Sequence, residues 1–66
     1  MVAFVRTILV IDDHEPMRRN VLMILEMEGF KGLSADNGRA GLELARKEKP
    51  DLVLCDITMP ARAKRP

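Results

Sequence analysis

Sixty-six residues make at most one small domain, and a chain this short buries only about 60% of the surface its unfolded form exposes. Eleven Lys and Arg against ten Asp and Glu leave a formal charge of +1, which selects neither nucleic acid nor a membrane surface as partner. A single cysteine, Cys55, excludes an intrachain disulfide and a zinc-type Cys/His cluster, so self-association or a partner is the expected source of extra stability.

The first predicted element is Thr7-Ile8-Leu9-Val10-Ile11, a β-branched run that stops abruptly at Asp12-Asp13. Continuous apolarity, as opposed to alternation, marks a strand buried on both faces, the habit of parallel sheets. Pro16 suits a first helical turn, and a helix is predicted from there to about Glu28, with Gly29 as its stop. Met17, Val21, Ile24 and Leu25 form its inward stripe, while Leu22, Met23 and Met27 widen the apolar arc beyond one face. A weaker strand, Phe30 to Ala35, is interrupted by Gly32, and Asp36-Asn37-Gly38 reads as a turn. A second helix is predicted from about Arg39 to Lys49, with Ala40, Leu42, Leu44 and Ala45 as its apolar members. Pro50-Asp51 ends it, and Leu52-Val53-Leu54-Cys55 is a third strand with the doubly buried character of the first. The order β-α-β-α-β implies an α/β fold with parallel pairing and right-handed crossovers. Residues 61–66, Ala-Arg-Ala-Lys-Arg-Pro, have no apolar period and read as a basic, disordered tail behind a unit spanning residues 1–60.

Three carboxylates carry the chemistry. Asp12 and Asp13 follow the first strand and Asp56 follows the third, all at the carboxyl edge where open parallel sheets bind ligands. An Asp-Asp pair after a strand is, alone, an ordinary turn or cap. A third acid at the end of a second buried strand turns the balance toward a site. If the first and third strands are neighbours, the three acids converge, and close carboxylates repel unless a cation neutralises them. Oxygen ligands with room for water are what Mg²⁺ prefers. His14 reads as a loop residue, and Cys55 as an inert small hydrophobe of a buried strand. Arg62, Lys64 and Arg65 are too few to mark a nucleic-acid footprint.

The segments Ile8-Leu9-Val10-Ile11-Asp12-Asp13, Asn37-Gly38 and Pro50-Asp51-Leu52-Val53-Leu54-Cys55-Asp56-Ile57-Thr58-Met59-Pro60 resemble the receiver domain of two-component response regulators. The resemblance covers Thr7 to Pro60. It implies a flavodoxin-like doubly wound sheet of order 2-1-3-4-5, of which this chain supplies the N-terminal half, order 2-1-3. It further implies that Asp56 accepts a phosphoryl group from a histidine kinase. Asp13 and Asp56 would hold Mg²⁺ through their side chains, Asp12 through water, and Thr58 through its backbone carbonyl. The hydroxyl residue and the lysine that the family places on its fourth and fifth strands are not among these residues, so phosphotransfer is expected to be impaired. The expected entity is a truncated signalling module, not an enzyme. The competing reading is a self-associating half-domain that works as an interaction or assembly unit without phosphorylation. With the third strand at the edge, a homodimer through Leu52 to Ile57 is expected to complete the sheet. No apolar run approaches the roughly 20 residues of a membrane span, and the start does not read as a signal peptide, so the expected setting is the cytoplasm, away from membranes.

Overall fold

A computed structural model describes residues 4–55. The elements are β1 (Thr7–Ile11), α1 (Glu15–Met27), β2 (Lys31–Ala35), α2 (Gly38–Glu48) and β3 (Leu52–Cys55). The three strands form one parallel sheet in the order β2-β1-β3, with Leu9 beside Leu33 on one side and Val53 on the other. The expected β-α-β-α-β order and 2-1-3 arrangement are therefore present. The ends of the elements lie within a residue or two of the sequence reading, apart from Asp56 and Ile57 of the expected third strand, which fall outside the described residues. So do residues 61–66 and the expected boundary at residue 60.

Position at the centre of the sheet explains why β1 is the core. Ile8, Leu9, Val10 and Ile11 are all buried, and Leu9 is 0% exposed, so its side chain alone contributes about 1.5–3 kcal/mol of burial. Strand alternation sends Leu9 and Ile11 to one face, where Leu33, Ala35 and the α2 residues Ala40, Leu44 and Ala45 pack against them. Gly41 lets α2 lie close on β1, since a Cβ there would stand 2.8 Å from Ile11 Cγ1. Ile8 and Val10 face the other way, toward α1. On that face Gly32 makes room for Leu22, whose Cδ2 would be 2.7 Å from a Cβ at position 32. The glycine that weakens β2 as a strand is thus the seat of the first helix.

The punctuation is local. His14 is extended and Pro16 lies in the first turn of α1, where its missing N–H costs nothing. Gly29 ends α1 with φ +96°, a conformation that favours glycine. At α2 the Asn37 side-chain oxygen accepts the Ala40 N–H at 2.8 Å, so the predicted turn is in fact a helix N-cap. Lys49 closes α2 in the left-handed region, φ 49° and ψ 61°, its N–H bonded to the Ala45 carbonyl at 2.9 Å.

Three expectations are corrected. The composition of β3 predicts a doubly buried strand, yet Leu52, Val53 and Leu54 are 52%, 43% and 39% exposed, and Cys55, read as a buried hydrophobe, is exposed as well. The helices pack on β1 and β2, and neither reaches far enough to cover the third strand. For the same reason Met17 and Ile24, predicted to point inward, are half exposed: they lie on the side of α1 where the sheet is bare. Leu22, expected to be surplus to one protomer's core, is used inside it against Gly32, whereas Met23 and Met27 are exposed.

Candidate functional site

The carboxyl ends of β1 and β3 lie side by side, because the pairing of Ile11 with Cys55 is the last rung of that ladder. Asp12 and Asp13 follow Ile11 at this edge, next to the point where the chain leaves the middle strand for neighbours on either side. Open α/β sheets place ligands at such a switch point. Asp56 follows Cys55 directly in sequence, and both it and Thr58 lie outside the described residues.

Two adjacent, chemically identical residues have opposite environments. Asp12 is 5% exposed and Asp13 is exposed. Asp12 continues the ladder, its N–H donating to the Ala35 carbonyl at 3.1 Å, and this draws its side chain into the protein. Its Oδ1 accepts the His14 N–H at 2.9 Å, which shapes the entry to α1. Part of the cap role that an Asp-Asp pair fills by default is therefore real. Arg18 reaches back from α1, but Nη1 donates to the Asp12 backbone carbonyl at 2.9 Å and not to the carboxylate. Among the described residues the carboxylate has no ion-pair partner; the one salt bridge there is Glu15–Arg19, exposed and 3.9 Å long. Burying a carboxylate without a counter-charge is costly, so a cation beside Asp12 suits the site.

That is the observation against which Mg²⁺ is tested, and the residues fit. The donors at this edge are oxygen atoms, Asp12 keeps one carboxylate oxygen uncommitted among the described residues, and Asp13 is open to water. His14 is exposed and uses its backbone N–H, in keeping with a loop role. No group of three Asp, Glu, His or Cys side chains gathers among the described residues, the third predicted acid being Asp56.

The family model of the response regulator receiver domain matches residues 8–63. The chain belongs to that family. Among its relatives, the receiver is similar to Protein PilH of Pseudomonas aeruginosa, at 47% identity over 53 residues, covering 80% of this chain and 44% of PilH. The phosphate regulon transcriptional regulatory protein PhoB of the same organism is 38% identical over 55 residues, covering 83% of this chain and 24% of PhoB. The regulatory protein AtoC of Escherichia coli is 39% identical over 56 residues, covering 85% of this chain and 12% of AtoC. The receiver chain thus spans less than half the length of each of these relatives. No helix among the described residues is long and apolar enough to cross a membrane.

Sequence reasoning missed two contacts. One is Arg18 on the Asp12 carbonyl, which ties α1 to the end of β1 next to the acids. The other lies at the opposite, amino edge of the sheet. There the Thr7 N–H donates to Asp51 Oδ2 at 2.7 Å, and the Asp51 N–H donates to the Thr7 carbonyl at 2.8 Å. Asp51 therefore clamps the starts of β1 and β3, 44 residues apart, and sets their register. A side-chain acceptor just after Pro50, at the entry to a strand, was the available signal. A groove of about 530 Å³ lies beyond β2 between Arg18, Asp36, Glu43 and Lys47, and does not include Asp13.

Proposed function

We propose that this receiver binds Mg²⁺ at its acidic edge and accepts a phosphoryl group on Asp56, with a histidine kinase as donor in a cytoplasmic signalling pathway. Asp13 and Asp56 hold the ion through their side chains, Asp12 through water, and Thr58 through its backbone carbonyl. The observation that carries the reading is the buried Asp12, which has no counter-charge among the described residues and stands at the switch point of a receiver sheet. When bound, the ion supplies charge that screens the attacking carboxylate from the phosphoryl oxygens. The remaining work falls to the chain. An oxygen of Asp56 forms the new bond to phosphorus while the bond to the donor's leaving group breaks. Arg18 and the His14 N–H hold the Asp12 backbone and carboxylate so that the edge is organised in advance.

Transfer by residues 1–66 taken alone is expected to be slow compared with a receiver that also carries the family's hydroxyl residue and lysine. Those groups place donors and positive charge around the moving phosphoryl group, and the resemblance puts them on strands beyond the third. The product is a phosphorylated signalling state, so the module is not a turnover enzyme. The test is incubation of the purified chain with Mg²⁺ and acetyl phosphate, followed by intact mass and peptide mapping. Slow, Mg²⁺-dependent addition of one phosphate at Asp56, lost in Asp56→Asn, is the expected result. Labelling elsewhere, or none with Mg²⁺ present, refutes phosphoryl acceptance. Rapid stoichiometric labelling refutes the argument about the hydroxyl and the lysine.

A further inference from the structure

Asp12 and Asp13 are joined by a single peptide unit at the end of β1, and one side chain holds that unit. We propose that Arg18 is the positioning residue of the acidic edge: by fixing the Asp12 carbonyl it fixes the direction in which the Asp13 carboxylate leaves the chain. This role rests on the reading of the edge as a Mg²⁺ site.

The connection from β1 to α1 is three residues long, Asp12, Asp13 and His14. Its first residue is firmly tied. The Asp12 N–H donates to the Ala35 carbonyl at 3.1 Å, and Oδ1 accepts the His14 N–H at 2.9 Å. Asp13 has no such ties. It is exposed, and among the described residues neither its backbone nor its carboxylate makes a hydrogen bond. An exposed side chain without partners takes its direction from its backbone, and the backbone of Asp13 is governed by its two neighbours. Arg18 holds both of them. Its Nη1 donates to the Asp12 carbonyl at 2.9 Å, and its own N–H donates to the His14 carbonyl at 3.0 Å. The Asp12 carbonyl and the Asp13 N–H lie in one rigid plane, so a hold on the first orients the second. Without the guanidinium, that plane is free to turn about the dihedrals on either side of it.

A guanidinium beside carboxylates ordinarily pairs with them, often through two parallel hydrogen bonds. Here Nη1 meets a neutral carbonyl oxygen instead, and neither Asp12 nor Asp13 has an ion-pair partner among the described residues. A cation therefore reaches the carboxylates without displacing Arg18. The positive charge of Arg18 by itself opposes a second cation nearby. Loss of Arg18 thus has two effects of opposite sign: lost alignment weakens Mg²⁺ binding, and lost charge strengthens it. Groups that orient metal ligands are worth about 10–100-fold in affinity, whereas a half-buried charge is screened by water and salt. Alignment is expected to win.

A MgCl₂ titration of the ¹⁵N-labelled chain, following the amide shifts of residues 12–14, gives the Kd, and urea unfolding gives the stability of each variant. Arg18→Met keeps the apolar stem and removes the donors and the charge; its Kd for Mg²⁺ is expected to rise about tenfold. Arg18→Lys keeps the charge and a donor but lacks the planar fork, and its Kd is expected to fall between the two. An Arg18→Met Kd equal to the original's, with lowered stability, makes Arg18 a structural tie and overturns the proposal. A lower Kd makes it a repelling charge and overturns the proposal equally. If the methionine variant does not fold, the lysine variant decides, and a Kd no higher than the original's refutes the positioning role. An original chain with no saturable shift at residues 12–14 refutes the cation site itself, and the role of Arg18 falls with it. Saturable binding with an unmoved Kd in Arg18→Met leaves the site standing and removes Arg18 alone.

Discussion

Replacing Gly41 by alanine sets two effects of known size against each other at the contact between α2 and β1. Alanine is favoured over glycine inside a helix by about 0.8–1.0 kcal/mol. At this position the helix faces Ile11, and the new methyl would stand 2.8 Å from Ile11 Cγ1 and still closer to Cδ1. Cδ1 is a flexible end, but Cγ1 is bonded directly to Cβ and moves only with the χ1 rotamer or the backbone. Overpacking of that kind costs about 1–3 kcal/mol. The steric cost outweighs the helix preference, and Gly41→Ala is expected to lower stability by about 1 kcal/mol net. Ile11→Val, which removes only Cδ1, is expected to cost about 0.5–1.5 kcal/mol by itself. The two changes share one contact, so the double variant should lose less than the sum, with a coupling of about 0.5–1 kcal/mol. Urea unfolding followed by circular dichroism measures all four proteins. All four are compared at one protein concentration. A Gly41→Ala chain more stable than the original by the full helix preference, with effects that simply add, would refute the close approach of α2 to β1.

Lys49→Gly relieves a lysine held in the left-handed region, a conformation costing about 1–2 kcal/mol, and returns part of that as unfolded-state entropy. A net gain of about 0.5–1 kcal/mol in urea unfolding is expected, and a loss would show that φ 49° is not maintained in solution. Asn37→Ala removes the acceptor for the Ala40 N–H and is expected to cost about 1 kcal/mol, with the same assay deciding. Asn37→Asp, which keeps an acceptor, should lose far less. Mg²⁺ at about ten times its Kd is expected to stabilise the chain by about 1.4 kcal/mol, measured as a rise in Tm. In Asp13→Asn, an exposed position with little effect on the fold, most of that rise should vanish at the same Mg²⁺ concentration. An unchanged rise would remove Asp13 from the proposed ligands.

The elements and their order were legible in the residues themselves. β-branched runs ending in acids, Pro16 at a helix start and Gly29 at its end act over one or two turns of chain, so neighbouring residues suffice to read them. Asp12 and Asp13 were legible as candidates for the same reason. Nothing local distinguishes the two, however. Only the ladder from Asp12 to Ala35 decides that one is buried and the other faces water. Asn37 read as part of a turn, and only the structure shows it to be the N-cap of α2.

What the tertiary structure alone decided depends on which distant residues become neighbours. The clamp between Thr7 and Asp51 joins positions 44 apart, and although an acceptor after Pro50 hints at a strand entry, nothing local names Thr7 as its partner. Gly32 reads as a defect in a strand until Leu22 is set against it. The clearest case is β3. Its apolar composition says that it belongs inside, whereas among the described residues its place at the end of the order β2-β1-β3 leaves it exposed. Composition records the environment a strand is suited to, and topology determines which neighbours the described helices and strands supply.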